Sequence, residues 1–210
     1  MFAWCKVAMA AIPLAFWSQT AEVNARDSVV DLMLFPAEVP INLTAYPPHV
    51  RAELQKYLQR YKSYQSKRSR PPAPGLEAMV YSVWVAYERR LVAASEDPNA
   101  PALAAEYVDY LRPCYEWEGF HDCPEREARF AAEYLATNRG EPFSDYLPLL
   151  SAHRWLCAAE AYVYENNSVG AARSRRNYEV MIARARYSKA PLIRFAAERL
   201  AERNTCHTRH

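Results

Sequence analysis

From His49 onward the apolar positions recur every three or four residues, the period of an amphipathic helix. Val50, Leu54, Tyr57, Leu58, Tyr61 and Tyr64 line one face of a first helix, which Pro71-Pro72-Ala73-Pro74-Gly75 ends. That stretch is a stiff connector, too short to hold a pair of domains apart. A second helix, Leu76 to Ala94, turns Met79, Val80, Val83, Trp84 and Tyr87 inward, and Asp97-Pro98-Asn99 punctuates it. Ala102 to Leu111 makes a third, with Leu103, Tyr107, Tyr110 and Leu111 on one face and Pro113 as its stop. Cys123-Pro124 opens a fourth, with proline at the favoured first helical position. Phe130, Ala131, Tyr134 and Leu135 form its stripe, and Asn138-Arg139-Gly140 closes it. Ser144 opens a fifth, running to about Glu165, with Leu149, Leu150, Leu156, Ala161 and Tyr164 inside; Asn166-Asn167-Ser168 breaks it. Ala171 to Tyr187 is a sixth, and Ser188 caps a seventh that runs from Lys189 to about Asn204 with Pro191 in its first turn.

Seven helices joined by short turns predict antiparallel neighbours in one all-α domain over residues 48–210. The last three helices have a second shape open to them, stacked hairpins in the manner of tetratricopeptide solenoids. Tyr162 followed nine residues later by Ala171 fits that pattern, but the next aromatic and the closing proline do not fall in place, and no fixed period recurs elsewhere.

Upstream the pattern changes. Residues 26–47 have no helical period, and Pro36, Pro40 and Pro47 interrupt them; with Val29, Val30, Leu32, Leu34 and Phe35 apolar, this arm is expected to lie extended on the domain. Residues 1–25 read as a secretory signal peptide: Lys6 supplies the positive end, Val7 to Trp17 is an apolar run of eleven residues, and Val23-Asn24-Ala25 offers a cleavage site. The run is shorter than the roughly 20 residues that span a bilayer, and the mature chain carries no other candidate span. The expectation is a secreted or periplasmic protein.

Cysteine usage agrees with that compartment. Beyond Cys5 lie Cys114, Cys123, Cys157 and Cys206, an even number that allows three pairings. The pairing we expect is Cys114–Cys123 and Cys157–Cys206. The first closes a short loop worth about 2–3 kcal/mol, and the second ties the C-terminal tail to an interior helix for about 4 kcal/mol.

Composition removes several function classes. Of 210 residues 51% are hydrophobic and mean hydropathy is −0.35, which excludes a disordered chain. The four glycines, Gly75, Gly119, Gly140 and Gly170, are too scattered for a G-x-G-x-x-G turn or a P-loop. No G-x-S-x-G, S-x-x-K or H-E-x-x-H occurs, and no cofactor is expected.

The net charge of +2 hides three blocks: +6 over His49–Leu76, −9 over Glu77–Glu165 and +7 over Asn166–His210. Either the basic ends dock an anionic partner, with Arg173, Arg175 and Arg176 near Lys67 and Arg68, or they pair with the acidic middle inside the monomer. Basic residues interleaved with Tyr57, Tyr61 and Tyr64 suit a polyanion, yet those tyrosines share the core-facing stripe. Export disfavours nucleic acid, so the expected partners are another exported protein or an anionic cell-envelope polymer.

Two constellations could carry chemistry. The loop from Cys114 to Cys123 holds Glu116, Trp117, Glu118, Phe120, His121 and Asp122. Trp117, Phe120 and His121 are the binding candidates, since an exposed tryptophan beside carboxylates suits a sugar ring or a peptide. Glu116, Glu118 and Asp122 are the candidate acid/base groups of a hydrolase acting on cell-wall or other polysaccharide. The plain structural reading is a stapled helix corner with its aromatics folded inward. The second constellation, His153-x3-Cys157 with Cys206-x3-His210, has the donors of a Cys2His2 zinc site, in competition with the Cys157–Cys206 disulfide. The leading functional reading is a non-catalytic binding or scaffolding protein; the hydrolase is the alternative.

Overall fold

The computed structural model describes residues 28–34, 40–66, 76–110, 120–138, 140 and 142–206. Among these every regular element is a helix, with no strand. Residues 28–34 form α1, and a 3-10 turn, Leu43–Ala45, precedes α2, Pro48–Ser63. Then follow α3, Leu76–Ala93; α4, Ala100–Tyr110; α5, Asp122–Thr137; α6, Leu147–Tyr164; α7, Ser168–Arg186; and α8, Pro191–Arg203. The seven expected helices are α2 to α8. None of the described helices is long and apolar enough to cross a membrane.

Residues 28–34 correct the expectation of an extended arm. Five apolar side chains, Val29, Val30, Leu32, Met33 and Leu34, are buried there. The prolines that suggested an extended chain begin only at Pro36, so nothing within the segment breaks a helix. Its backbone is held by Tyr146, whose hydroxyl donates to Met33 O, and its Asp31 pairs with Arg203 of α8 at 2.7 Å.

Neighbours in sequence pack together, α2 on α3, α3 on α4, α5 on α6, α6 on α7 and α7 on α8, and α2 meets α8 to close the bundle. Tyr107 joins α4 to α5 by ring contacts with Phe130 at 4.9 Å and Tyr134 at 5.4 Å. At the centre lies α6, with 15 of its 18 residues buried. A helix buried all round must satisfy each polar group it carries. Ser151 donates to Ala128 O at 2.9 Å, His153 Nε2 lies 3.0 Å from Cys206 O, and Arg154 pairs with Glu127 at 2.6 Å.

Several helix ends differ from the sequence expectation. Asn166-Asn167-Ser168, read as a breaker, is the cap itself: Asn167 accepts from Gly170 N at 2.9 Å, and α7 starts at Ser168 instead of Ala171. Asn166 takes the left-handed conformation, φ 59°, that lets the chain reverse so tightly. Residues 142–146 are turns and α6 starts at Leu147, which leaves Pro148 in the first turn, where its missing N–H costs nothing. Ser188 does not cap α8; the helix begins after Ala190, whose N–H Ser188 Oγ accepts at 3.1 Å. Tyr164, expected inside, is exposed, and Tyr162 is the buried tyrosine of that turn. Tyr110 is likewise exposed, lying along Phe130 at 5.1 Å.

Candidate functional site

Of the loop between Cys114 and Cys123, residues 111–119 lie outside the described residues, and with them Cys114, Glu116, Trp117, Glu118 and the Cys114–Cys123 pairing. Phe120 is exposed, and Asp122 is exposed in the first turn of α5. Lys67, Arg68 and His210 also fall outside, as do the side chains of Met79, Val80 and Val83 on α3.

The second constellation is a disulfide. Cys157 and Cys206 are bonded, with their Cα atoms 4.7 Å apart. The buried His153 ring packs on Cys157 Sγ at 3.7 and 3.9 Å. These three residues group closely enough to share a metal ion. But sulfurs bonded to each other offer zinc no thiolate, so the group here is the expected bridge with a histidine packed against it, and His210 lies outside the described residues.

The structure assembles a different site. An open groove of about 570 Å³ runs over α5, α6 and α7, lined by His121, Glu125, Arg129, Phe130, Tyr162 and Arg173 among others. The helical period brings His121, Glu125 and Arg129 to one face of α5. Tyr162 comes from the last turn of α6. Gly170 lets α7 approach it, since a Cβ there would fall 2.5 Å from the Tyr162 ring.

Glu125 is the hub, its side chain 9% exposed. Arg173 donates to both carboxylate oxygens, at 3.0 and 3.1 Å, Tyr162 donates its hydroxyl to Oε2, and Arg129 donates to Oε1. Burial pushes this carboxyl up, but the Tyr162 hydroxyl and the Arg129 and Arg173 guanidiniums outweigh it and hold Glu125 below the usual carboxylate range. The Tyr162 phenol is pushed up to about 12 by burial, by its bond to Glu125 and by that carboxylate's charge. His121 stacks on the Tyr162 ring at 4.0 Å. Glu165 clasps His121 twice, accepting its backbone N–H at 2.9 Å and meeting Nδ1 at 2.6 Å.

Chemically, both Glu125 oxygens are occupied and the group is held ionised. It anchors two guanidiniums whose side chains remain 54% and 47% exposed on the wall of the groove, beside the Phe130 ring. A stability consequence follows from the sign of the shift. A carboxylate with a lowered folded pKa contributes stability above its unfolded pKa and loses it as pH falls through the folded one. Glu125→Gln should therefore be less stable than the parent at neutral pH, with the gap closing below about pH 4. Urea melts across that range would show it, and a gap independent of pH would refute it.

The charge blocks divide between the two readings. Arg60 pairs with Glu96 at 3.2 Å and Arg173 with Glu125, so these members of the basic ends are satisfied by the acidic middle. Tyr57 is buried, and Tyr61 stacks on it at 6.3 Å under Arg89 and Arg90, so the aromatic stripe of α2 belongs to the core.

Sequence reasoning reached His121 and Asp122, and Arg173 as one of the basic residues facing an anionic partner, but missed Glu125, Arg129, Tyr162 and Glu165 as members of a site. The Glu125–Arg129 spacing of four was its one visible signal, and such pairs are common on solvated helix faces. In comparisons with known proteins, the chain matches no family model, no curated protein and no solved structure.

Proposed function

We propose that the chain is an exported, non-catalytic binding protein whose ligand site is the groove over α5, α6 and α7. The ligand is the carboxylate of an anionic cell-envelope polymer or exported partner, bound by Arg129 and Arg173 beside Phe130. The observation that carries the reading is the state of Glu125: both oxygens are engaged, and two half-exposed guanidiniums are pre-oriented at the groove wall. Guanidinium forks fixed in place suit planar carboxylate recognition, and fixing them beforehand reduces the ordering cost of binding. Export is supported by the apolar run after Lys6 and by the Cys157–Cys206 disulfide.

The hydrolase reading receives no such support. It needs one carboxyl held protonated near neutral pH beside an ionised one. Within the groove Glu125 is driven the opposite way and Asp122 is exposed in the first turn of α5; Glu116 and Glu118, the other carboxyls of that reading, lie outside the described residues.

The test is calorimetric titration with a soluble carboxylate-bearing cell-envelope polymer and with the same polymer after amidation. The native polymer should bind and the amidated one should not. Arg129→Ala with Arg173→Ala should weaken binding at least about tenfold, from the loss of two charge-assisted contacts. Equal affinity for the amidated polymer, or none for the native one, would sink the proposal.

A further inference from the structure

Among the described residues seven large apolar side chains are exposed, and five of them, Val163, Tyr164, Val169, Val180 and Tyr187, fall between 163 and 187. Single exposed apolar residues are ordinary; alignment on one face is not. At 100° per residue, Val169, Val180 and Tyr187 lie within about 20° of one another on α7 and its C-cap, forming a spine about 27 Å long. Arg173 and Arg184 flank the spine on one side and Arg176 on the other, each within about 60° of it. Glu179 is the one acid of α7 and sits at the far edge of this face. The buried residues Ala171, Ser174, Tyr178, Ile182 and Ala185 take the opposite face, so the spine points away from the core. Arg176 and Arg184 are exposed and form no ion pair with the described residues.

We infer that the outward face of α7 is a docking surface for a bilayer bearing anionic headgroups. Charge complementarity sets the sign of the partner: Arg176 and Arg184 border the spine with no acidic partner among the described residues, while Arg173 is held by Glu125. Spacing separates a bilayer from an acidic protein helix. Helix-in-groove recognition needs anchors at i, i+3 or i+4 and i+7. The apolar points here stand eleven and seven residues apart, with arginines between them. A lipid interface accepts such isolated side chains one by one, while arginines between them meet phosphates. Tyr187 stands at the C-terminal end of the spine, and tyrosine favours the headgroup level. This surface shares Arg173 with the groove and is otherwise separate from it: Arg176, Val180, Arg184 and Tyr187 are not among the groove's lining residues.

The experiment is co-sedimentation of the protein with vesicles of phosphatidylglycerol and phosphatidylcholine, against phosphatidylcholine alone. The mixed vesicles should carry the protein down and the neutral ones should not, and binding should weaken with added salt. Arg176→Glu with Arg184→Glu should lower partitioning at least about tenfold, since each basic residue near an anionic surface contributes several-fold. Val180→Ser with Tyr187→Ser, which leaves the charge unchanged, should lower it as well. Circular dichroism and melting temperature should match the parent in all variants. Excess inorganic phosphate at matched ionic strength should not displace the protein; displacement would reveal a discrete phosphate site and overturn the bilayer assignment. Failure to bind mixed vesicles overturns it outright. So does binding of an acidic helical peptide that needs Arg176 and Arg184 while vesicles are ignored, an outcome that assigns the face to a protein partner.

Discussion

Replacing Glu127 by alanine is expected to destabilise the fold by about 3–5 kcal/mol, the cost of leaving a buried charge without its partner. Glu127 on α5 and Arg154 on α6 meet at 2.6 Å with side chains only 9% and 7% exposed. Burial pushes the Glu127 carboxyl up against the pull of Arg154; burial also works against the Arg154 charge, but the neighbouring carboxylate and tyrosines outweigh it and hold the guanidinium firmly charged. Arg154 also donates to the Tyr87 hydroxyl and lies over that ring at 5.6 Å, in a region where Tyr107 and Tyr146 are fully buried. Exchanging both residues for methionine should recover most of the loss, because a pair of similar volume without charge carries no desolvation cost. Urea denaturation of the single and double variants checks both statements. A loss under about 1 kcal/mol in Glu127→Ala would place the pair among ordinary solvated ion pairs and refute the argument.

Reducing the Cys157–Cys206 bridge should cost about 4 kcal/mol, since it closes a loop with a sequence separation of 49. For a chain of this size that corresponds to a melting temperature lower by about 8–16 °C. The bridge joins the central helix α6 to the residues just past α8. Cys206 N donates to Glu160 at 2.9 Å, and Arg203 donates to Cys206 O at 3.2 Å, so the tail keeps polar contacts after reduction. The loss should therefore appear as a lower unfolding temperature of the whole domain, read by calorimetry of Cys157→Ser with Cys206→Ser against the parent, because reductant would also open the expected Cys114–Cys123 pair. A shift within about 2 °C would mean that the tail detaches alone and that the bridge constrains nothing beyond it.

Local periodicity was enough to specify most of the helices. It names a helix because the inward face must be apolar every third or fourth residue, and Val50, Leu54 and Tyr57 are buried as their spacing requires. Proline and asparagine mark where helices start and stop, although whether an asparagine breaks a helix or caps it depends on where its side chain finds a donor, as Asn167 shows. The Cys157–Cys206 pairing was also legible, since few pairings exist and one ties down a tail. Residues 28–34 were not, because seven residues are too few to display a period, and only packing beneath Tyr146 and Arg203 makes them a helix. The same holds for Tyr162 and Tyr164: two positions apart, they point to opposite sides of α6, and only the approach of α7 decides which is inside. The groove belongs wholly to tertiary structure. Glu125, Tyr162 and Arg173 lie up to 48 residues apart, and a carboxylate becomes a hub only when folding brings two guanidiniums and a phenol to it at once. A linear sequence records which residues can ionise or donate, but dielectric and distance, which decide what those groups do, exist only after the helices have packed.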